Sequence, residues 1–138
     1  MANSKSIGVA FLDQDIIGAD YIYAAGEIGY GTGAQGTVTQ ATSKSTGVTL
    51  NKSAGQITMN NAALAAATNV TFTLTNSTLS AKDVLILNVS GAATSGAYNC
   101  WVSSMSAGSA TVTLRNITAA TSLSEAVVIN FAIIHGAP

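Results

Sequence analysis

Charge is what this sequence has least of. Only 8% of its 138 residues are Asp, Glu, Lys or Arg, against about 25% in an ordinary soluble domain. The five basic residues (Lys5, Lys44, Lys52, Lys82 and Arg115) are scattered and the net charge is −1. No basic cluster is present to release counterions from a polyanion, so nucleic acid is not an expected partner. Cysteine occurs once, as Cys100, which excludes an intrachain disulfide; its plain reading is a small buried hydrophobe in a strand. Histidine also occurs once, as His135, three residues from the end. One Cys and one His cannot make a zinc site, and a terminal His is a poor general base for a Ser-His-Asp arrangement. The lone proline is Pro138, so no strand is interrupted. No apolar run approaches the ~20 residues that span a bilayer. The run IGVAFL after Lys5 ends at Asp13 and does not read as a secretory signal, so synthesis in the cytosol and no membrane partner are expected.

Thr, Ser, Asn and Gly take the place of the missing charges, on a chain that is 48% apolar. A chain of this length buries roughly 70% of its unfolded surface, enough for one core. Residues 1–36 differ from the rest. They hold four of the six acids (Asp13, Asp15, Asp20, Glu27), three of the four tyrosines and the glycine-dense exit GYGTGAQG. From Thr37 to Pro138 short Thr/Val-rich runs alternate with turn residues, the spacing of a β-sandwich or barrel. In NVTFTLTN, Val70, Phe72 and Leu74 oppose Thr71, Thr73 and Thr75; in SATVTLRN, Val112 and Leu114 oppose Thr111, Thr113 and Arg115. Period two with one apolar face is a half-buried strand. DVLILNV and AVVINFAII are apolar on both faces and read as central strands, or as strands covered on both sides. NNAALAAAT (60–68) carries the one helical hint.

TFTLTN (71–76) and TVTLRN (111–116) each lead through a short segment containing Leu-Ser into an apolar run ending in Asn (Asn88, Asn130). Either one hairpin grammar is used twice, as in two facing Greek keys, or a repetitive composition echoes itself by chance. The expected fold is all-β: an antiparallel β-sandwich of jelly-roll type (37–138), with residues 1–36 as an N-terminal arm or edge segment. Asn-x-Ser/Thr triplets at Asn51, Asn69, Asn76, Asn88 and Asn116 read as by-products of composition rather than glycan sites.

Few residues suggest chemistry. GTGAQG (Gly31–Gly36) matches G-x-G-x-x-G, but TVTQAT follows it where a dinucleotide site needs a helix, and no acid occurs between Glu27 and Asp83. Asp13, Asp15 and Asp20 lack the spacing and closing Glu of a calcium loop. No enzyme, cofactor or metal site is expected. Contact residues are better represented. In AYNCWVSSM, Tyr98, Cys100 and Val102 share one face and Trp101 points to the other. That second face either lies under another layer of the domain or is an interface, where Trp is enriched. Tyr21, Ile22, Tyr23, Ile28 and Tyr30 belong either to an edge strand or to an arm laid on a neighbour.

The run from GYGTGAQGTVTQATSKSTGVTLNK through NVTFTLTNSTLSAKDVLILNV, with the tail SLSEAVVINFAIIHGA, resembles a segment recurring in virion surface proteins of tailed bacteriophages. The resemblance covers about residues 29–136, and VTQATSKSTGVTLNK (38–52) is its most specific part. That group comprises capsid decoration (cement) proteins, head fibres and some tail-associated proteins. It implies a non-enzymatic β-sandwich that self-associates, as a dimer or trimer, on the exterior of a particle. The implied partner is the major capsid protein, whose subunits a cement protein bridges. The alternative is a fibre or receptor-binding module recognising a host surface. A fibre ordinarily joins such a module to a long shaft, which favours decoration for a chain this short.

Overall fold

The computed structural model describes residues 20–136 apart from Ile22. Eight strands follow one 3-10 turn at Thr32–Ala34: β1 (Gln35–Thr39), β2 (Val48–Thr49), β3 (Ala54–Thr58), β4 (Asn69–Thr75), β5 (Val84–Gly91), β6 (Tyr98–Ser106), β7 (Ser109–Asn116) and β8 (Val128–Ile134). They form two four-stranded sheets, sheet A in the order β1-β3-β8-β5 and sheet B in the order β2-β4-β7-β6. The fold is all-β, as expected, with strand β1 beginning two residues before the expected boundary at Thr37.

The sheets are mixed, where antiparallel pairing is expected throughout. β1 pairs with β3, and β2 with β4, in parallel. Parallel neighbours need a crossover between them. Here each crossover is a strand of the other sheet: the chain leaves sheet A after β1, forms β2 in sheet B and returns as β3. All other pairings are antiparallel.

Inward residues of both sheets meet in one core. Sheet A contributes Ile57, Leu85, Ile129, Phe131 and Ile133; sheet B contributes Val48, Phe72, Leu74, Val112 and Leu114. The alternation in β4 and β7 is reproduced, with one addition. Thr113 faces outward yet is buried, because Trp101 lies opposite it in the register and the Ser103 hydroxyl bonds to it. Gly36 and Gly55 sit where β1 and β3 close on Leu50. A Cβ on Gly55 would stand 2.7 Å from the Gly36 carbonyl oxygen and 2.8 Å from Leu50 Cδ2.

No helix forms over 60–68. Ala67 takes a left-handed φ of 54° in a turn, its N–H donates to Thr118 O, and Leu64 bridges to Leu123. Leu64 is buried in the core, and burying that one side chain outweighs the modest preference of alanines for helix.

The internal echo is built into the fold. β4 pairs with β7 and β5 with β8, so the two echoing units lie antiparallel to each other. At one position in each strand pair the corresponding residues are cross-strand partners: Phe72 faces Val112, and Asn88 faces Asn130.

Candidate functional site

The outer face of sheet A divides in two. At one end Val84 and Ile134 are cross-strand partners, each 57% exposed, and Ile86 (49% exposed) faces Ala132, which faces Ala54. At the other end Asn88, Asn130 and Gln56 stand in a row, with Gln56 Nε2 donating to Asn130 Oδ1 at 3.0 Å and Ser90 Oγ at 2.9 Å from the same oxygen. The apolar end is what the sequence hinted at and the expectation misplaced. β8 is central, but β5 is an edge strand, and among the described residues nothing covers the second apolar face of either. Two-sided apolar runs normally signal cover on both sides.

Tyr30 sits at the border of this patch. Its hydroxyl donates to Ile133 O, and its ring lines a cleft of about 550 Å³ with Gln35, Thr37, Ala54, Gln56 and Asn130. Tyr21, Tyr23 and Ile28 precede it and are at least 78% exposed; the two tyrosine rings stack at 6.0 Å. Ile22, Asp13 and Asp15 lie outside the described residues. Asp20 and Glu27 are exposed. Gly31–Gly36 runs through the 3-10 turn straight into β1, so the sequence match to a dinucleotide loop has no helix behind it.

Trp101 is on the opposite side of the molecule, on the outer face of edge strand β6. It is 36% exposed, over Thr113. Around it the face of sheet B is rows of short polar side chains: Thr71 and Thr113; Thr73, Thr111 and Ser104; Asn69, Arg115 and Asn99. Arg115 donates to Asn69 Oδ1 at 3.2 Å. The structure therefore separates Trp101 from Tyr21, Tyr23 and Tyr30 rather than bringing them into one site.

Polar groups in the interior fix loops. Gln40 and Lys44, both in the block VTQATSKSTGVTLNK, are buried. Gln40 Nε2 donates to Lys44 O and Thr46 O while its Oε1 accepts from Asn60 N. Lys44 Nζ donates to the backbone oxygens of Asn60 and Glu125. Burial lowers the Lys44 pKa, partly opposed by the nearby Glu125 carboxylate. That carboxylate is held low first by the Thr94 hydroxyl, at 2.7 Å. The Tyr98 hydroxyl faces it, and neither Tyr98 Oη nor Glu125 Oε2 has a hydrogen bond of ordinary geometry. Burial pushes the Tyr98 phenol up to about 12. Burial likewise raises the Cys100 thiol, opposed by the Val89 backbone N–H directed at it. Cys100 and Tyr98 line an open cleft of about 500 Å³ between β5 and β6.

At the far end Asp83 closes the chain terminus. It accepts from Ser80 N and Ser80 Oγ at 2.8 Å, Gly136 N at 3.0 Å and His135 Nδ1 at 3.0 Å. The Ser80 amide is the largest of the influences that hold its carboxyl well below the usual range. His135 is thus a ligand of a buried carboxylate. Among the described residues no three His, Cys, Asp or Glu side chains converge, and no helix is long and apolar enough to cross a membrane. No protein-family model, curated protein or solved structure matches the chain.

Proposed function

We propose that this chain is a non-enzymatic structural protein of a tailed-phage virion, decorating the capsid exterior and cementing it by bridging major capsid protein subunits. The observation that carries the reading is the placement of exposed apolar side chains on both outer faces of one body: Val84, Ile86 and Ile134 on sheet A, and Trp101 on sheet B. A protein that bridges needs two adhesive surfaces on a body stiff enough to hold them apart, because the second contact then forms at high effective concentration. The near absence of charge suits this task, since neutral faces associate without desolvating ions. Binding only to the assembled shell stabilises it by mass action. The resemblance of residues 29–136 to virion surface proteins points the same way, and we read the two four-stranded sheets as a sandwich of jelly-roll type in keeping with it.

The runner-up is a fibre or receptor-binding module. Trp101 favours it, because an indole beside Asn99 and the Arg115–Asn69 pair offers a stacking surface and amide groups to a sugar. One experiment separates the two: the purified chain is added to mature heads lacking it, and bound copies and rupture temperature are measured. Saturable binding at a fixed ratio to the major capsid protein, with a raised rupture temperature, is the expected result. Attachment to host cells and not to heads would replace the cement reading with the fibre one.

A further inference from the structure

We propose that copies of this chain associate by arm exchange, the segment carrying Tyr21, Tyr23 and Ile28 of one copy lying on the apolar end of sheet A of a second. The inference does not depend on the virion reading; it assigns the sheet A patch to a second copy, so that a joined pair keeps two adhesive faces, one Trp101 on each copy.

Two apolar surfaces in the chain leave each other uncovered. Tyr21, Tyr23 and Ile28 are 78–87% exposed, and Val84, Ile86 and Ile134 are about half exposed. These six make up most of the large exposed apolar side chains among the described residues; only Trp101 and Ile117 lie elsewhere. Burying either set against the other removes both from water. The root of the arm is fixed where exchange requires it. Tyr30 is tied to Ile133 O, beside Ile134, so the segment leaves the body at the border of the patch. Residues 20–29 in extended form reach roughly 30 Å at ~3.3 Å per residue, and 19 more residues precede them. That is ample to cross to a neighbour.

The arm carries two acids, Asp20 and Glu27, and the exposed Lys82 lies two residues before Val84. Among the described residues the only ion pair is His135 with Asp83, and none of those residues pairs with Asp20, Glu27 or Lys82.

The patch also borders an open backbone edge. Ile133 N donates to Ser53 O, on the β3 side, so residues of that parity in β8 turn away from β5. Their partners Leu85 and Val89 therefore turn away from β8, as does Leu87 between them. The amides of Leu85 and Leu87 are left facing the open edge, beside Val84 and Ile86. An extended segment free of proline can add there as a strand, its side chains falling on the apolar rows.

The test uses the full chain in light scattering coupled to size exclusion, across a concentration series. Ile86→Lys breaks the receiving patch, and the double variant Tyr21→Ser/Tyr23→Ser breaks the arm. All three positions are exposed, and thermal melts confirm that folding is kept. The wild-type chain is expected to self-associate, and each variant to do so about tenfold more weakly or worse. A mixture of the two variants is expected to regain association, because one retains its arm and the other its patch. A monomeric wild-type chain would overturn the proposal, as would either variant associating like wild type. Failure of the mixture to recover would also overturn it, assigning the contact to two sheet faces meeting directly or to an arm on its own patch.

Discussion

Asn76 and Asn116 make the same hydrogen bonds at corresponding ends of β4 and β7. Both are fully buried. Each Oδ1 accepts from the N–H and hydroxyl of the Thr two residues on, Thr78 and Thr118, and each Nδ2 donates to a carbonyl of a distant loop. Read as sequence, these Asn-x-Thr triplets are products of composition. In the fold they are plugs that satisfy turn amides and stitch a corner shut.

Asn116→Ala is the first prediction. It orphans the Thr118 N–H and removes the Nδ2 donor from Leu64 O and Thr121 O, at 3.0 and 2.8 Å, which keep Leu123 N–H and the Thr118 hydroxyl as their other donors. The one N–H left unpaired costs about 1–3 kcal/mol and the two lost Nδ2 bonds roughly 1 kcal/mol more, so a loss of about 2–4 kcal/mol is expected. For a chain of this length that is roughly 10 °C in Tm, read by differential scanning calorimetry. A change below about 1 kcal/mol would mean the corner is held by backbone bonds alone.

Gly55→Ala tests the close approach of β1 and β3. The added methyl meets the Gly36 oxygen, Leu50 and Phe131 Cε1, all within 3.0 Å. Backbone on one side and core on the other leave it no room, so overpacking should cost about 1–3 kcal/mol. Chemical denaturation at unchanged m-value is the check; an unchanged midpoint would show that Leu50 can swing aside.

Much of this fold is legible in the sequence, and what is not has a physical cause. Period-two alternation locates β4, β6 and β7, because each has one face on the core and one on solvent. The face assignment in β6, with Tyr98, Cys100 and Val102 inward and Trp101 outward, follows from the same rule. Parallel pairing is not legible, because it depends on which sheet each short strand joins, and β2 is two residues long. The receiving patch was visible as two-sided hydrophobicity in DVLILNV and AVVINFAII, but periodicity cannot tell a strand buried within its domain from one awaiting a partner. Gln40 and Lys44 look like ordinary loop residues in sequence. Their burial is set by Asn60 and Glu125, which are 20 and 81 residues away along the chain.

Acid should loosen the C-terminal corner. The folded-state pKa of Asp83 is depressed by the Ser80, Gly136 and His135 donors, so its stabilising contribution is complete above the ordinary carboxylate value of about 4. It falls away as pH drops from there towards the lower folded value. Tm is expected to decline on that acid limb. Asp83→Asn should lower Tm at neutral pH and flatten the limb. Parallel limbs in the two proteins would place the acid sensitivity elsewhere.

At high pH the sign reverses. Tyr98 ionises at about 12 in the folded chain, above its ordinary value of 10.0. A raised folded value means a contribution fully present below about pH 10 and lost as pH rises to about 12. Phenolate absorbance should show one tyrosine titrating late, together with a fall in Tm over that interval. Tyr98→Phe should abolish the late step. If a late step persists in the variant, another tyrosine carries it.

Trp101→Ser separates adhesion from stability. The indole is partly exposed on an edge strand, and its intramolecular partner is Thr113, which already has the Ser103 hydroxyl. Uncovering Thr113 admits water to a satisfied hydroxyl, so the cost to folding should stay near 1 kcal/mol or below. If sheet B is one of the two adhesive faces, the lost aromatic anchor should weaken binding to heads by about tenfold or more, since an interface Trp commonly carries upwards of 2 kcal/mol. Binding isotherms on heads lacking the protein, set beside thermal melts of the free variant, measure both quantities. A large loss of Tm would make Trp101 a lid over its own sheet. Unchanged stability and unchanged head binding would confine adhesion to sheet A, leaving one sticky face, and a body with one sticky face decorates a shell without bridging it.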